Sequence, residues 1–196
     1  MKKLSSVLII LGGVTFFASL TIFILTFYPV ISTEVSYQLN KTQNKPLELK
    51  PVDTNFGVVI PKITANAKVI ENVSPFNQQE YQWALTKGIA HGLGSSFPGQ
   101  VGNVFLFSHS SVNFYEAQRY NSIFYLLDKL EKGDVIYLYF KNEKFQYQVS
   151  EKKLVWANEV NYLKGQGFTK TVTLMTCWPP GTTFKRLLVL AEIVNK

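Results

Sequence analysis

The chain has 196 residues, 46% of them apolar and 14% aromatic, enough for one globular domain of ordinary size and an appendage. Its net charge of +7 is mild and scattered, with no arginine-rich helix or zinc-finger spacing. This argues against a nucleic-acid-binding protein and favours an anionic neighbourhood such as a cell wall or lipid headgroups. One cysteine excludes an internal disulfide.

The first element is apolar. Leu4–Tyr28 carries no charge, and a helix of about 25 residues rises about 37 Å, enough to cross a bilayer core with some tilt. Lys2 and Lys3 precede it and predict a cytoplasmic N-terminus with the rest of the chain outside the cell membrane. A cleaved signal peptide has an apolar region of only about 7–15 residues, so an uncleaved single-pass anchor is expected. Pro29 is expected to end the helix. Ser32 to Asn55 is polar and reads as a stalk or loosely packed lead-in. The organisation expected is thus a cytoplasmic stub and transmembrane anchor over 1–31, a stalk over 32–55 and a folded domain over 56–196.

From Phe56 the pattern becomes short β-rich runs separated by turn residues. Strands are predicted at Phe56–Ile60, Ala67–Ile70, Asn103–His109, Asp134–Phe140, Lys144–Val155, Thr171–Cys177 and Arg186–Val194. Two stretches read as helical, Asn77–Lys87 and Asn121–Leu130. The second carries an apolar stripe of Ile123, Phe124, Leu126, Leu127 and Leu130, expected to be core. The fold class expected is mainly β, a closed or nearly closed barrel or a sandwich, with one or two short helices.

Cys177 ends the run VTLMTC, and Pro179-Pro180-Gly181 then disfavours further pairing. The thiol is therefore placed at a rim. In an exported chain a lone thiol is either a buried small hydrophobe or a functional group. His109 closes NVFLFSH, and alternation puts it on one face with Phe105 and Phe107. Arg186 opens the final strand after a loop short enough to return it beside Cys177. A thiol, an imidazole and a guanidinium at strand ends are the groups acyl transfer through sulfur requires. Each has a bland alternative when taken alone: a core cysteine, a surface histidine, a strand-end arginine.

These residues resemble the sortase family of cysteine transpeptidases. Thr173–Cys177 (TLMTC) matches the family's TLxTC signature, and Arg186-Leu-Leu-Val resembles the return that follows it. Ser108–Ser110 (SHS) lies where the family places its histidine. Gly88–Asn103, Val59–Ile63 (VIPKI) and Leu130–Leu138 (L-x-x-G-D-x-I-x-L) resemble further family segments, so the likeness runs from about Phe56 to Val194. The resemblance implies a sortase-like β-barrel of about seven to eight strands. It implies cleavage of an LPxTG-like sorting signal between Thr and Gly, with Cys177 as nucleophile, His109 as acid and base and Arg186 steadying the transition state. Thr176 would contact substrate beside the thiol. Its partners would be secreted proteins with a C-terminal sorting signal and an amine acceptor from a cell-wall precursor or a pilin lysine, without cofactor or metal. Alternatives are a cysteine hydrolase of the same fold that uses water, and a non-enzymatic surface-binding β-domain. The flanking Ser108 and Ser110 and the Trp178-Pro-Pro-Gly turn depart from the family pattern. Neither an acidic lid motif in 32–55 nor an acidic cluster for calcium is visible. His91, set among glycines in a predicted loop, is the competing histidine; His109 is the one expected to act.

Overall fold

A computed structural model describes residues 2–43, 49–110, 123–159 and 169–195. Eight strands close into a barrel: β1 Phe56–Ile60, β2 Ala65–Val73, β3 Ile89–Gly92, β4 Gly102–Phe107, β5 Val135–Phe140, β6 Glu143–Trp156, β7 Lys170–Trp178 and β8 Lys185–Asn195. Round the barrel they run β1-β2-β3-β4-β7-β8-β6-β5. Closure pairs every strand on both sides and leaves no open edge. The β2–β3 and β4–β7 pairs are parallel and the other six antiparallel.

Alternation sorts the side chains into two clusters. Val58 and Ile60, Val104 and Leu106, Ile136 and Leu138, Tyr147 and Val149, Val172 and Leu174, and Leu187 and Val189 fill the barrel. On the opposite face, α2 (Gln78–Leu85) packs against β2 and β3. There Ala84 and Leu85 pack with Ala90, Phe105 and Phe107, and Met175 adds to the patch. Helix α2 starts where Asn77 caps it, its side chain accepting from Glu80 N–H at 3.3 Å.

Four features differ from the sequence reading. Strand β3 was expected to be loop; its four residues are buried on both faces, which leaves no alternation to read. Within the stripe at 121–130, residues 121–122 lie outside the described residues. The rest form turns and a single 3₁₀ turn, Leu127–Lys129. Phe124, Leu126, Leu127 and Leu130 are core as expected, so the apolar spacing recorded burial rather than a helix.

Third, the N-terminal helix α1 (Lys2–Gln43) continues past Pro29 instead of stopping there. Proline removes one helical hydrogen bond, but continuation delivers Tyr37, 8% exposed, into the barrel's core cluster. The residues read as the start of a stalk are therefore helix as far as Gln43; 44–48 lie outside the described residues. Fourth, β2 extends beyond the expected Ala67–Ile70 at both ends. Upstream, Leu8–Leu25 is long and apolar enough to cross a membrane, and none of it is buried.

Candidate active site

Strand register decides which of the candidate side chains come together. In the antiparallel β7–β8 pair Cys177 lies directly opposite Arg186, and direct partners share a face. In the parallel β4–β7 pair Val104 aligns with Val172 and Phe107 with Met175. Past the end of β4 the alignment persists: Ser108 N–H donates to Met175 C=O at 3.2 Å. Two residues beyond Phe107, His109 thus comes level with Cys177, two beyond Met175. Adjacent strands are about 4.8 Å apart, so Cys177 on β7 and Arg186 on β8 are immediate neighbours, and His109, two residues past the end of β4, follows the strand on the other side of Cys177.

The outer face is confirmed by polar contacts lower on the same strands. Thr171 and Thr173, which alternate with Cys177, both donate to Asn103 Oδ1, at 3.1 and 3.0 Å. Asn103 in turn alternates with Phe105, Phe107 and His109. Helix α2 covers Phe105, Phe107 and Met175; His109 and Cys177 lie one step past that patch and are half-buried. The thiol and the imidazole are thus set at the lip of an apolar patch, with the His109 Nε2 atom itself buried.

Thr176 is placed differently from the expectation of a substrate contact. It alternates with Cys177 and faces the barrel interior at 1% exposure, and its hydroxyl donates to Ser108 C=O at 2.9 Å. A buried hydroxyl already committed to a carbonyl is not available to a substrate outside the barrel. What Thr176 does is tie the end of β4 to β7, which holds the residue after Ser108, His109, beside Cys177.

Arg186 is anchored by its own loop. Its Nη1 donates to Thr183 C=O at 3.0 Å and to Lys185 C=O at 3.1 Å. This leaves the remaining guanidinium donors for other partners. The Trp178–Pro179 peptide is cis, and Thr182 N–H closes the turn on Pro179 C=O at 3.0 Å. Beside the site the ammonium of Lys185 sits over the Trp156 ring, 4.7 Å from its centroid.

The second histidine lies elsewhere. His91 on β3 is fully buried and stacks on Phe97 with centroids 4.7 Å apart. Asn72 N–H donates to its Nδ1 at 3.3 Å, so Nε2 carries the proton and meets Ser96 C=O at 3.1 Å and Ser95 Oγ at 2.8 Å. Burial lowers its pKa below the ordinary histidine value, against smaller upward contributions from the Ser96 hydrogen bond and the Glu71 charge. His91 is thus a neutral, satisfied core histidine. Away from both histidines, Lys62 bridges Glu131 and Asp134 at 2.8 Å each. Burial pulls the pKa of Lys62 down, but these two partners outweigh it and hold the pKa above the ordinary lysine value.

A closed barrel with a cysteine and an arginine paired across its last two strands, and a histidine just past the end of the strand beside them, defines a narrow class of protein. Residues 58–194 match the family model described as the Sortase domain, and the chain belongs to the sortase family. It is 25% identical over 139 residues to Sortase D of Bacillus subtilis (strain 168), a match covering 69% of this chain and 62% of that one. The alignment therefore spans less than two thirds of that relative. Among solved structures, sortase C-1 from Actinomyces oris superposes with a TM-score of 0.62 at 23% identity, covering 85% of this chain and 99% of that one. Sortase C-1 from Streptococcus pneumoniae superposes with a TM-score of 0.61 at 25% identity, covering 72% and 67%.

Proposed function

We propose that this protein is a membrane-anchored cysteine transpeptidase. Its substrate is an LPxTG-like sorting signal near the C-terminus of a secreted protein, cut between Thr and Gly. The observation that carries the reading is the direct cross-strand pairing of Cys177 with Arg186 at the level of His109.

The Cys177 thiolate attacks the Thr carbonyl carbon, forming a C–S bond and a tetrahedral oxyanion. Arg186 donates to that oxyanion or to the substrate carbonyls nearby. Protonated His109 gives its proton to the departing Gly amine as the C–N bond breaks, which leaves a thioester on Cys177. An amine from a cell-wall precursor or a pilin lysine then attacks the thioester. Its proton passes to His109, the C–S bond breaks, and a new amide is released. The exposed apolar window Leu8–Leu25 supports anchorage in the cell membrane, with Lys2 and Lys3 on the cytoplasmic side and the barrel outside.

Mass spectrometry of the full chain incubated with an LPxTG-like peptide tests this. A thioester adduct on Cys177 is expected, discharged as a ligated product when an amine is supplied. Cys177→Ala should remain folded and form neither. Absence of any adduct on the intact protein sinks the reading. A thioester that yields only hydrolysed peptide in the presence of amine assigns water as the acceptor instead.

A further inference from the structure

Three consecutive side chains, in the tripeptide Ser108–Ser110, hold buried polar atoms: Ser108 Oγ, His109 Nε2 and Ser110 Oγ. Neither serine hydroxyl has a hydrogen-bond partner, and the two serines are 5% and 2% exposed. The Ser108 main chain is committed by contrast. Its N–H donates to Met175 C=O at 3.2 Å, and its C=O accepts from the Thr176 hydroxyl at 2.9 Å. The loose polar ends are thus confined to side chains, on either side of the histidine.

These hydroxyls are costly where they sit. The inward face of β4 carries Val104 and Leu106 in the core, and alternation at 108 calls for another apolar side chain. An unbonded hydroxyl there costs stability that an alanine of nearly the same shape would not. Such local conflicts concentrate where a segment has a second job. The histidine between the serines has one. A proton on its buried Nε2 cannot pass to an amine arriving from solvent at the half-buried Cys177 thiol, and burial also disfavours the imidazolium. The ring has to move to do acid–base work at that nitrogen.

We infer that the tripeptide 108–110 has a second seat, in which the His109 ring turns Nε2 out toward the Cys177 thiol, and that Ser108 and Ser110 are positioning residues that keep the first seat shallow enough to leave. Their unbonded hydroxyls raise the free energy of the first seat; in the second they gain water or nearby main chain as partners. The consequence for turnover rests on the acid–base role proposed above for His109; the two seats are a property of the fold. Among the described residues, the titratable and charged groups on the strands beside His109 are Cys177 on β7 and Arg186 on β8. From α2, Tyr81 meets Phe107, two residues earlier, with ring centroids 6.5 Å apart. The imidazolium forms in the second seat, so alanine at 108 or 110, by deepening the first, lowers the apparent His109 pKa. A gain of about tenfold for the first seat lowers it by about one unit.

The test is an NMR titration of the full chain in detergent micelles with isotopically labelled histidine. The chain has two histidines, and fully buried His91 is the internal reference. A Cys177→Ala background removes the coupled thiol, so the titration belongs to one group. Ser108→Ala and Ser110→Ala are each expected to lower the His109 pKa by about one unit, with a melting temperature equal to the parent's or higher. With Cys177 restored, each should slow ligation of an LPxTG-like peptide about tenfold near neutral pH. Ser108→Thr and Ser110→Thr, which keep the hydroxyl, should not lower the pKa. An unchanged pKa in both alanine variants overturns the inference, and so does an equal fall in the threonine variants. A lower melting temperature with an unchanged pKa makes the hydroxyls structural and overturns it too. A lowered pKa beside a wild type that ligates nothing supports the two seats while removing the transpeptidase reading, so the two fail separately.

Discussion

Cys177 and Arg186 lie nine positions apart in sequence, yet the β7–β8 register makes them direct partners. Arg186 spends one nitrogen on two loop carbonyls, a fixed fork with donors to spare. Lysine keeps the charge but not the fork. Arg186→Lys is therefore expected to lower turnover by about 10²-fold, with an unchanged melting temperature. Steady-state ligation assays beside thermal denaturation measure both, and near-normal turnover would remove the guanidinium from the chemistry. The placement of Cys177 and Arg186 near the ends of neighbouring strands was legible in the sequence because alternation and proline punctuation survive in one dimension, whereas the strand expected to run to His109 stops at Phe107. The job of Thr176 was not. Which neighbour a hydroxyl finds depends on β4 lying parallel to β7, a pairing of segments 68 residues apart that no local pattern encodes.

At the scale of elements, the strands with clear alternation or long β-branched and aromatic runs were readable, and the mistakes fall where burial is two-sided. β3 is the clearest case, and it brings His91 inside. His91 links β2 through Asn72 N–H, its own strand β3, and the loop to β4 through Ser95 and Ser96. Its folded-state pKa is depressed, so the native protein holds it neutral while the unfolded chain takes up a proton below about pH 6.5. The unfolded state then binds more protons, so stability rises with pH across this window and is lost as pH falls from about 7 towards 5. Urea denaturation at several pH values should show that slope, and His91→Phe, less stable overall, should show a flatter one. An equal slope in the variant would mean that His91 does not titrate on unfolding. The helix expected at Asn121–Leu130, which the described residues 123–130 do not form, follows the same logic. Phe124, Leu126, Leu127 and Leu130 all fit a helical stripe, but the barrel takes them in turns and a 3₁₀ segment because each can reach the core from there.

At the scale of the whole molecule, the apolar N-terminal helix and the β-barrel are in contact. Helix α1 spans both sides of the expected stalk boundary and places Tyr37 in the barrel core. Glu34 and Tyr37 also come near enough to Lys129 to raise its pKa, after the larger effect of its partner Asp128. Tyr37→Ala in the full chain is expected to cost about 2–4 kcal/mol of stability. Val35→Ala, at a position 49% exposed, should stay within about 0.5 kcal/mol. Denaturant titration in detergent compares the two, and equal small effects would show that the helix does not contribute to the domain's stability.

The uninterrupted backbone of α1 has a mechanical corollary. From Leu25 to Tyr37 is twelve residues, about 18 Å of helix, and each residue turns the rod by about 100°. Standoff and compass bearing are then geared together. One alanine spliced between Ile31 and Glu34 would raise the barrel by only about 1.5 Å but swing its thiol mouth by more than a quarter circle about the rod. Four added residues would bring the heading back to within about 40° and change the altitude by about 6 Å.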